Sequence, residues 1–164
     1  CEHPFTIGGA LALQARALES GAGAISEEHP VLAGYRAFGL PLGEGFQLRD
    51  DELGVFGRPE VTGKPAGDDL REGKRTVLVA LTSAALSEQE AALLHDSLGN
   101  PNLSDEQVER IRELMVSSGA FAEHERLIEQ KSHAVFEALD ALELDELVRA
   151  ALSDIVDRAL RRKS

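Results

Sequence analysis

Apolar residues recur along almost the whole chain at three- and four-residue intervals, the spacing of helix faces rather than of alternating strands. Residues 5–20, FTIGGALALQARALES, predict a short buried helix that stops at Gly21-Ala22-Gly23. A second helical run follows from Val31 to about Phe56, with Pro30 tolerated in its first turn and several glycines in its interior. The pattern then collapses between Gly57 and Lys74 into GRPEVTGKPAGDDLREGK, which neither helix nor strand favours. A long loop is predicted there, and a loop of that length inside a compact domain is most simply explained by function.

Helical patterning resumes at Thr76–Leu86 and continues to the end of the chain. Ser87 with Glu90, and Ser104 with Gln107, each read as a capping box opening a helix. Val108, Ile111, Leu114 and Met115 share one face of the second of these, and Ser118-Gly119 ends it. Residues 120–142 and 144–162 predict two further amphipathic helices, with Phe121, Ile128, Val135 and Leu139 on the first and Leu147, Leu152 and Ile155 on the second. His124, Glu125 and Glu129 read as part of a solvated charged face.

Composition agrees with an all-α chain. Aromatic residues are only 4 %, with no Trp, whereas Ala, Leu, Glu and Arg are frequent, which favours helix over an aromatic-rich sheet. The excess of 29 Asp and Glu over 17 Lys and Arg gives a net charge of -12, the wrong sign for general nucleic-acid or anionic-lipid binding. A single cysteine forms no internal disulfide, and neither a signal peptide nor a spanning apolar run is evident, so a cytoplasmic protein without stable membrane insertion is expected. The abrupt start at Cys1-Glu2-His3-Pro4 without Met suggests an interior point of a longer chain. No HExxH, GxSxG, P-loop or Rossmann fingerprint is present, and the LGEGFQ glycines, Gly43 and Gly45, are better explained by close helix packing.

Candidate chemistry concentrates between Phe46 and Lys74. Gln47, Asp50, Asp51 and Gly54 lie at i, i+3, i+4 and i+7, so the amide and both acids share one helix face. Like charges so placed repel unless a cation neutralises them, and Mg²⁺ is the hard cation that suits carboxylates together with phosphate oxygens. Lys64 and Lys74 follow on the predicted loop, where their ammonium groups can reach diphosphate oxygens. Each pair alone has an ordinary reading as solvated surface charge, and the acidic pair Asp68-Asp69 can simply cap the next turn.

The order FQ, DD, TGKP and EGK over this stretch resembles the second aspartate-rich motif of the trans-isoprenyl diphosphate synthases, or polyprenyl synthetases, which runs FQ..DD..D followed by TGK and GK. The resemblance is strongest from Gly39 to Thr76 and generic over the helical tail. It implies that residues 1–164 are the C-terminal part of a single all-α isoprenoid synthase-type bundle around a central cavity. It further implies Mg²⁺ on Asp50 and Asp51, with Gln47 on the same face and Lys64 and Lys74 on the allylic diphosphate. Phe46 and Thr6 are implied as substrate-site neighbours, Thr6 through the likeness of PFTIGGAL to a family segment whose substrate lysine falls about at Cys1 here. Arg161, Arg162 and Lys163 resemble a basic tail that closes over the isopentenyl diphosphate site in some members, although a solvated helix end complementing the dipole is the ordinary reading.

The activity implied is Mg²⁺-dependent head-to-tail condensation of an allylic prenyl diphosphate with isopentenyl diphosphate, by a homodimer of the farnesyl or geranylgeranyl type. Two departures qualify it. Gly54 stands where the family often has a third aspartate, and the chain contains no DDxxD, the family's first motif. A non-catalytic subunit, or an inactive fragment of the same fold, is therefore the competing expectation.

Overall fold

The computed structural model describes residues 2–21, 26, 29–63 and 65–161. Among the described residues it contains helices and no strand: α1 (Glu2–Glu19), α2 (Pro30–Phe56), α3 (Pro59–Thr62), α4 (Asp68–Arg71), α5 (Val77–Ala85), α6 (Glu88–Ser97), α7 (Asp105–Ser117), α8 (Ala120–Asp140) and α9 (Glu146–Leu160). The all-α expectation holds, and no helix is long and apolar enough to cross a membrane among the residues described. The chain clusters into two compact units, one built from residues up to Phe46 with Glu129–Arg161, the other from Gln47–Ile128.

In the first unit Phe38, Leu42, Val135, Leu139, Leu142, Val156 and Leu160 form the core, with Tyr35, Phe46 and Phe136 packed against it. The interior glycines of α2 are close-approach positions here. A Cβ on Gly34 would overlap Leu142 Cδ2, and one on Gly45 would lie 2.9 Å from Leu160 Cδ2. Glycine's low helix propensity costs about 1 kcal/mol at each position, and the approach it permits lets a leucine close over the helix. The helix also runs through Pro41 without ending. An interior proline costs about 3 kcal/mol, whereas fully burying a large side chain contributes about 1.5–3 kcal/mol; the buried Phe38 and Leu42 that flank Pro41 offset it.

The second unit has its own core of Val55, Leu70, Leu78, Val79, Leu94, Leu103, Val108, Ile111 and Met115. Both capping boxes form as expected, Ser87 with Glu90 and Ser104 with Gln107. The stretch expected as a long loop is more ordered than its composition suggests. Pro59 starts the single turn α3, left-handed Gly63 closes it, and Gly67 enters α4. Leu70 is fully buried, so α4 is pinned into the core. Arg71 donates to the Leu103 carbonyl at 3.0 Å, to the Ala66 carbonyl and to Asp105 at 3.0 Å. Gly73, at φ +74°, passes so close to Gly99 that a Cβ would sit 3.0 Å from the Gly99 Cα. Local patterning misses this order because it is supplied by partners some thirty residues away.

Arg112 on α7 closes the end of α2, its Nε and Nη2 donating to the Val55 carbonyl at 2.8 and 2.5 Å while the guanidinium lies over Phe56. A cation at a helix C-terminus meets the dipole as well as the orphan carbonyl. Arg112→Ala is expected to lower stability by about 1.5–3 kcal/mol, the range for hydrogen bonds to a charged group, measured by urea unfolding.

Candidate functional site: the carboxylate face of α2

The last turns of α2 in the second unit carry Gln47, Asp50, Asp51 and Gly54 on one face, as their spacing requires. Asp50 and Gln47 are exposed, whereas Asp51 is only 8 % exposed. Gln47 Nε2 donates to Asp51 Oδ1 at 2.8 Å, which fixes the rotation of that carboxylate. Burial pushes the Asp51 carboxyl above its ordinary value; the Gln47 hydrogen bond and the nearby His124 pull it down, and the Asp69 and Asp50 charges push it up again. A carboxylate buried among other carboxylates is a group that a cation would stabilise.

Asp69 is the residue that the sequence pattern undervalues. It does not cap α4, whose N-cap is Gly67 with no side-chain cap bond. It is 4 % exposed and pairs with Lys74, whose Nζ lies 2.5 Å from Asp69 Oδ1 and 3.1 Å from Glu72. Those hydrogen bonds, the one to Asp69 foremost, raise the Lys74 pKa further above the lysine range. An ideal Cβ on Gly54 would overlap Asp69 Oδ2. The space beside position 54, where a third acid would stand on α2, is thus filled by a carboxylate from α4. The available signal is the Gly-Asp-Asp step five residues before the EGK lysine, but only the fold brings it to Gly54.

Asp68, Asp69 and Glu72 each hold a carboxylate oxygen within 4.8 Å of the others. Together with Asp50 and Asp51 the donors are all oxygen, the set that a hard divalent cation such as Mg²⁺ prefers. The residues present therefore fit the ion that the motif implies.

The other expected site residues are less telling. Lys64, Cys1, Arg162 and Lys163 lie outside the described residues. Phe46 is half-buried against the first unit's core, and Thr6 is half-buried on α1. Arg161 reaches Asp157 at 3.2 Å and lies over the Phe136 ring. A cavity of about 600 Å³ lined by Gly9, Arg16, Tyr35, Leu142 and Val148 takes none of its walls from the expected residues.

One expectation is overturned on the opposite face of α2. Helical patterning puts His124 on a solvated face, yet it is fully buried, because its Nε2 meets the Leu48 carbonyl at 2.9 Å. Its neighbour Glu125 is not a free surface acid either, since Arg49 Nη1 lies 2.7 Å from Glu125 Oε1 and 2.6 Å from Glu52 Oε2. Burial, and the hydrogen bond between the two carboxyls, push Glu52 up to about 8, while the same hydrogen bond lowers Glu125. Glu52 is therefore the protonated partner, and Arg49 pairs with the Glu125 charge. A carboxyl whose folded value is raised favours the fold below its unfolded value and loses that contribution as pH rises through the folded one. Stability should fall between about pH 5 and 8, and Glu52→Gln should flatten that fall in urea titrations across the range.

A family model for polyprenyl synthetase matches residues 8–115. The chain belongs to the polyprenyl synthetase family. It is 39 % identical over 111 residues to a (2E,6E)-farnesyl diphosphate synthase of Mycobacterium tuberculosis, a match covering 66 % of this chain and 31 % of that protein. It is 35 % identical over 141 residues to a geranylgeranyl diphosphate synthase of the same species, covering 84 % and 39 %. Among solved structures it is similar to a geranylgeranyl pyrophosphate synthase from Corynebacterium glutamicum, complexed with isoprenyl diphosphate and magnesium, at a TM-score of 0.77 and 38 % identity, covering 88 % of this chain and 40 % of that one. This polyprenyl synthetase chain thus spans 31 to 40 % of the length of these three relatives, and its fold is the helical one of those synthases.

Proposed function

We propose that this polyprenyl synthetase chain supplies the second aspartate-rich half of a trans-prenyl diphosphate synthase active site, with Asp50 and Asp51 as Mg²⁺ ligands. The observation that carries the reading is the buried Asp51 carboxylate, steered by Gln47 and set beside Asp50 on one face of α2. Residues 1–164 are then the C-terminal part of one isoprenoid synthase-type domain, in a cytoplasmic homodimer of the farnesyl or geranylgeranyl class.

When bound, Mg²⁺ would withdraw charge from the allylic diphosphate and make it a leaving group. The rest falls to the protein. Gln47 holds Asp51 in one orientation, so no reorganisation is needed when substrate arrives. Lys74, already charged against Asp69 and Glu72 and half-exposed, can turn its ammonium to the diphosphate oxygens, with Lys64 assigned the same task. Breaking the allylic C–O bond releases diphosphate. The isopentenyl double bond then attacks the allylic carbon and a proton is lost, lengthening the prenyl chain. Phe46 and Thr6 are assigned to the substrate's surroundings.

The test is product formation by the intact protein from labelled isopentenyl diphosphate with geranyl or farnesyl diphosphate. Elongated prenyl diphosphates that vanish on chelation of Mg²⁺ are expected, and absence of product with both allylic substrates would refute the reading in favour of a non-catalytic subunit. The 164-residue chain alone, which holds no DDxxD, is expected to make none.

A further inference from the structure

The face of α2 opposite the aspartates carries a polar cluster with no direct part in the proposed chemistry. At about 100° per residue, Leu48, Arg49 and Glu52 centre about 160° away from Gln47, Asp50, Asp51 and Gly54. A single turn of α8 grips that opposite face through three residues. His124 Nε2 meets the Leu48 carbonyl at 2.9 Å, Glu125 accepts from Arg49 at 2.7 Å, and Phe121 packs against Phe56 with ring centroids 4.7 Å apart and planes tilted by 56°. Arg49 closes the cluster onto Glu52 at 2.6 Å, and Glu52 is 4 % exposed.

Such a cluster is a poor way to gain stability. Buried ionic groups replaced together by apolar residues of similar size commonly leave a protein as stable or more so. His124 Nδ1 has no hydrogen-bond partner among the described residues, a further cost. What the cluster offers is direction. The buried Leu48 and Val55 hold α2 by apolar contact, which tolerates rotation, whereas short charged hydrogen bonds do not. A carboxylate oxygen stands about 5–6 Å from its helix axis, so rotating α2 by about 10° moves it about 1 Å. Misplacement of about 1 Å can cost a reaction about 100-fold. On the aspartate face Gln47 and Asp50 are exposed, so only Asp51 and the Gly54–Asp69 approach brace it there.

We propose that Arg49, Glu52, His124 and Glu125 form a clamp by which α8 sets the rotation of α2 and thereby aims Asp50 and Asp51. They are positioning residues, and the proposal rests on the reading of those aspartates as cation ligands.

The test uses the intact protein, with Mn²⁺ as a spectroscopic stand-in for Mg²⁺ and its affinity read by electron paramagnetic resonance. In the triple variant Arg49→Met, Glu52→Leu, Glu125→Leu, the thermal midpoint should hold or rise while Mn²⁺ affinity falls about tenfold, the scale seen when residues behind metal ligands are changed. The same substitutions made in an Asp51→Asn background should weaken binding by much less than about tenfold, because they act through Asp51. Glu52→Gln, which keeps the side chain's length and a hydrogen-bonding amide towards Arg49 and Glu125, should stay within about twofold of the unsubstituted protein, well inside the effect assigned to losing the clamp. Wild-type Mn²⁺ affinity in a folded triple variant would overturn the clamp. Should that variant not fold, Glu125→Leu alone serves instead, since its side chain is 41 % exposed and the substitution removes the acceptor for Arg49; wild-type affinity there overturns the clamp equally. If Asp51→Asn alone leaves Mn²⁺ binding unchanged, the ligand assignment itself fails, and the clamp with it.

Discussion

Asp51→Asn should lower kcat by about 100-fold or more, the scale for losing one preorganised charge-stabilising group, while leaving the thermal midpoint unchanged or higher. Asparagine has the same shape and can still accept the Gln47 hydrogen bond, so the fold loses no contact. It also removes a carboxylate that burial and two neighbouring acids already disfavour. Activity and stability are thus expected to separate. Steady-state assays across a Mg²⁺ titration, with calorimetry on the same samples, read both. Retained turnover would remove Asp51 from the site, whereas a fall in both quantities would assign it a structural part.

Gly54→Asp should be harmful, although it restores the acid that the family often carries at this position. The first side-chain atom would overlap an Asp69 oxygen, and Asp69 is 4 % exposed and tied to Lys74. Forced repacking costs about 1–3 kcal/mol and a crowded second charge adds to it, so a loss of about 3 kcal/mol and a fall of about 6–12 °C in the unfolding midpoint are expected. Displacing Asp69 also frees Lys74, so turnover should fall with stability. The double variant Gly54→Asp, Asp69→Gly should recover most of the lost stability, because the space is then contested by one carboxylate. Unchanged stability in Gly54→Asp would show that Asp69 moves aside at little cost.

Periodicity suffices for α7 and α8, whose expected stripes are buried or half-buried, and for two helix starts because Ser87 with Glu90 and Ser104 with Gln107 are complete local devices. It misplaces the buried face elsewhere, since Ile7, Leu11 and Leu18 of the expected buried helix α1 are exposed, and α9 buries Val156 and Leu160 while Leu147 and Ile155 are exposed. The shared face of Gln47, Asp50 and Asp51 is equally legible, being a consequence of helix geometry alone. The 57–74 stretch reads as simple loop because its order depends on Leu103, Asp105 and Gly99, which no local window contains.

The same distinction runs through the site. Local spacing is enough to say that two acids and an amide lie together on a helix, since that follows from 3.6 residues per turn whatever surrounds them. It cannot say that Asp69 fills the space beside Gly54, nor that His124 is buried against α2, because burial and pairing are set by which helices meet. On an isolated helix His124 and Glu125 belong to a polar face. Only packing against Leu48 makes His124 interior, and only Arg49 gives the half-exposed Glu125 its partner; for His124 the loss of water turns an ordinary hydrogen-bonded group into one whose partner must be present.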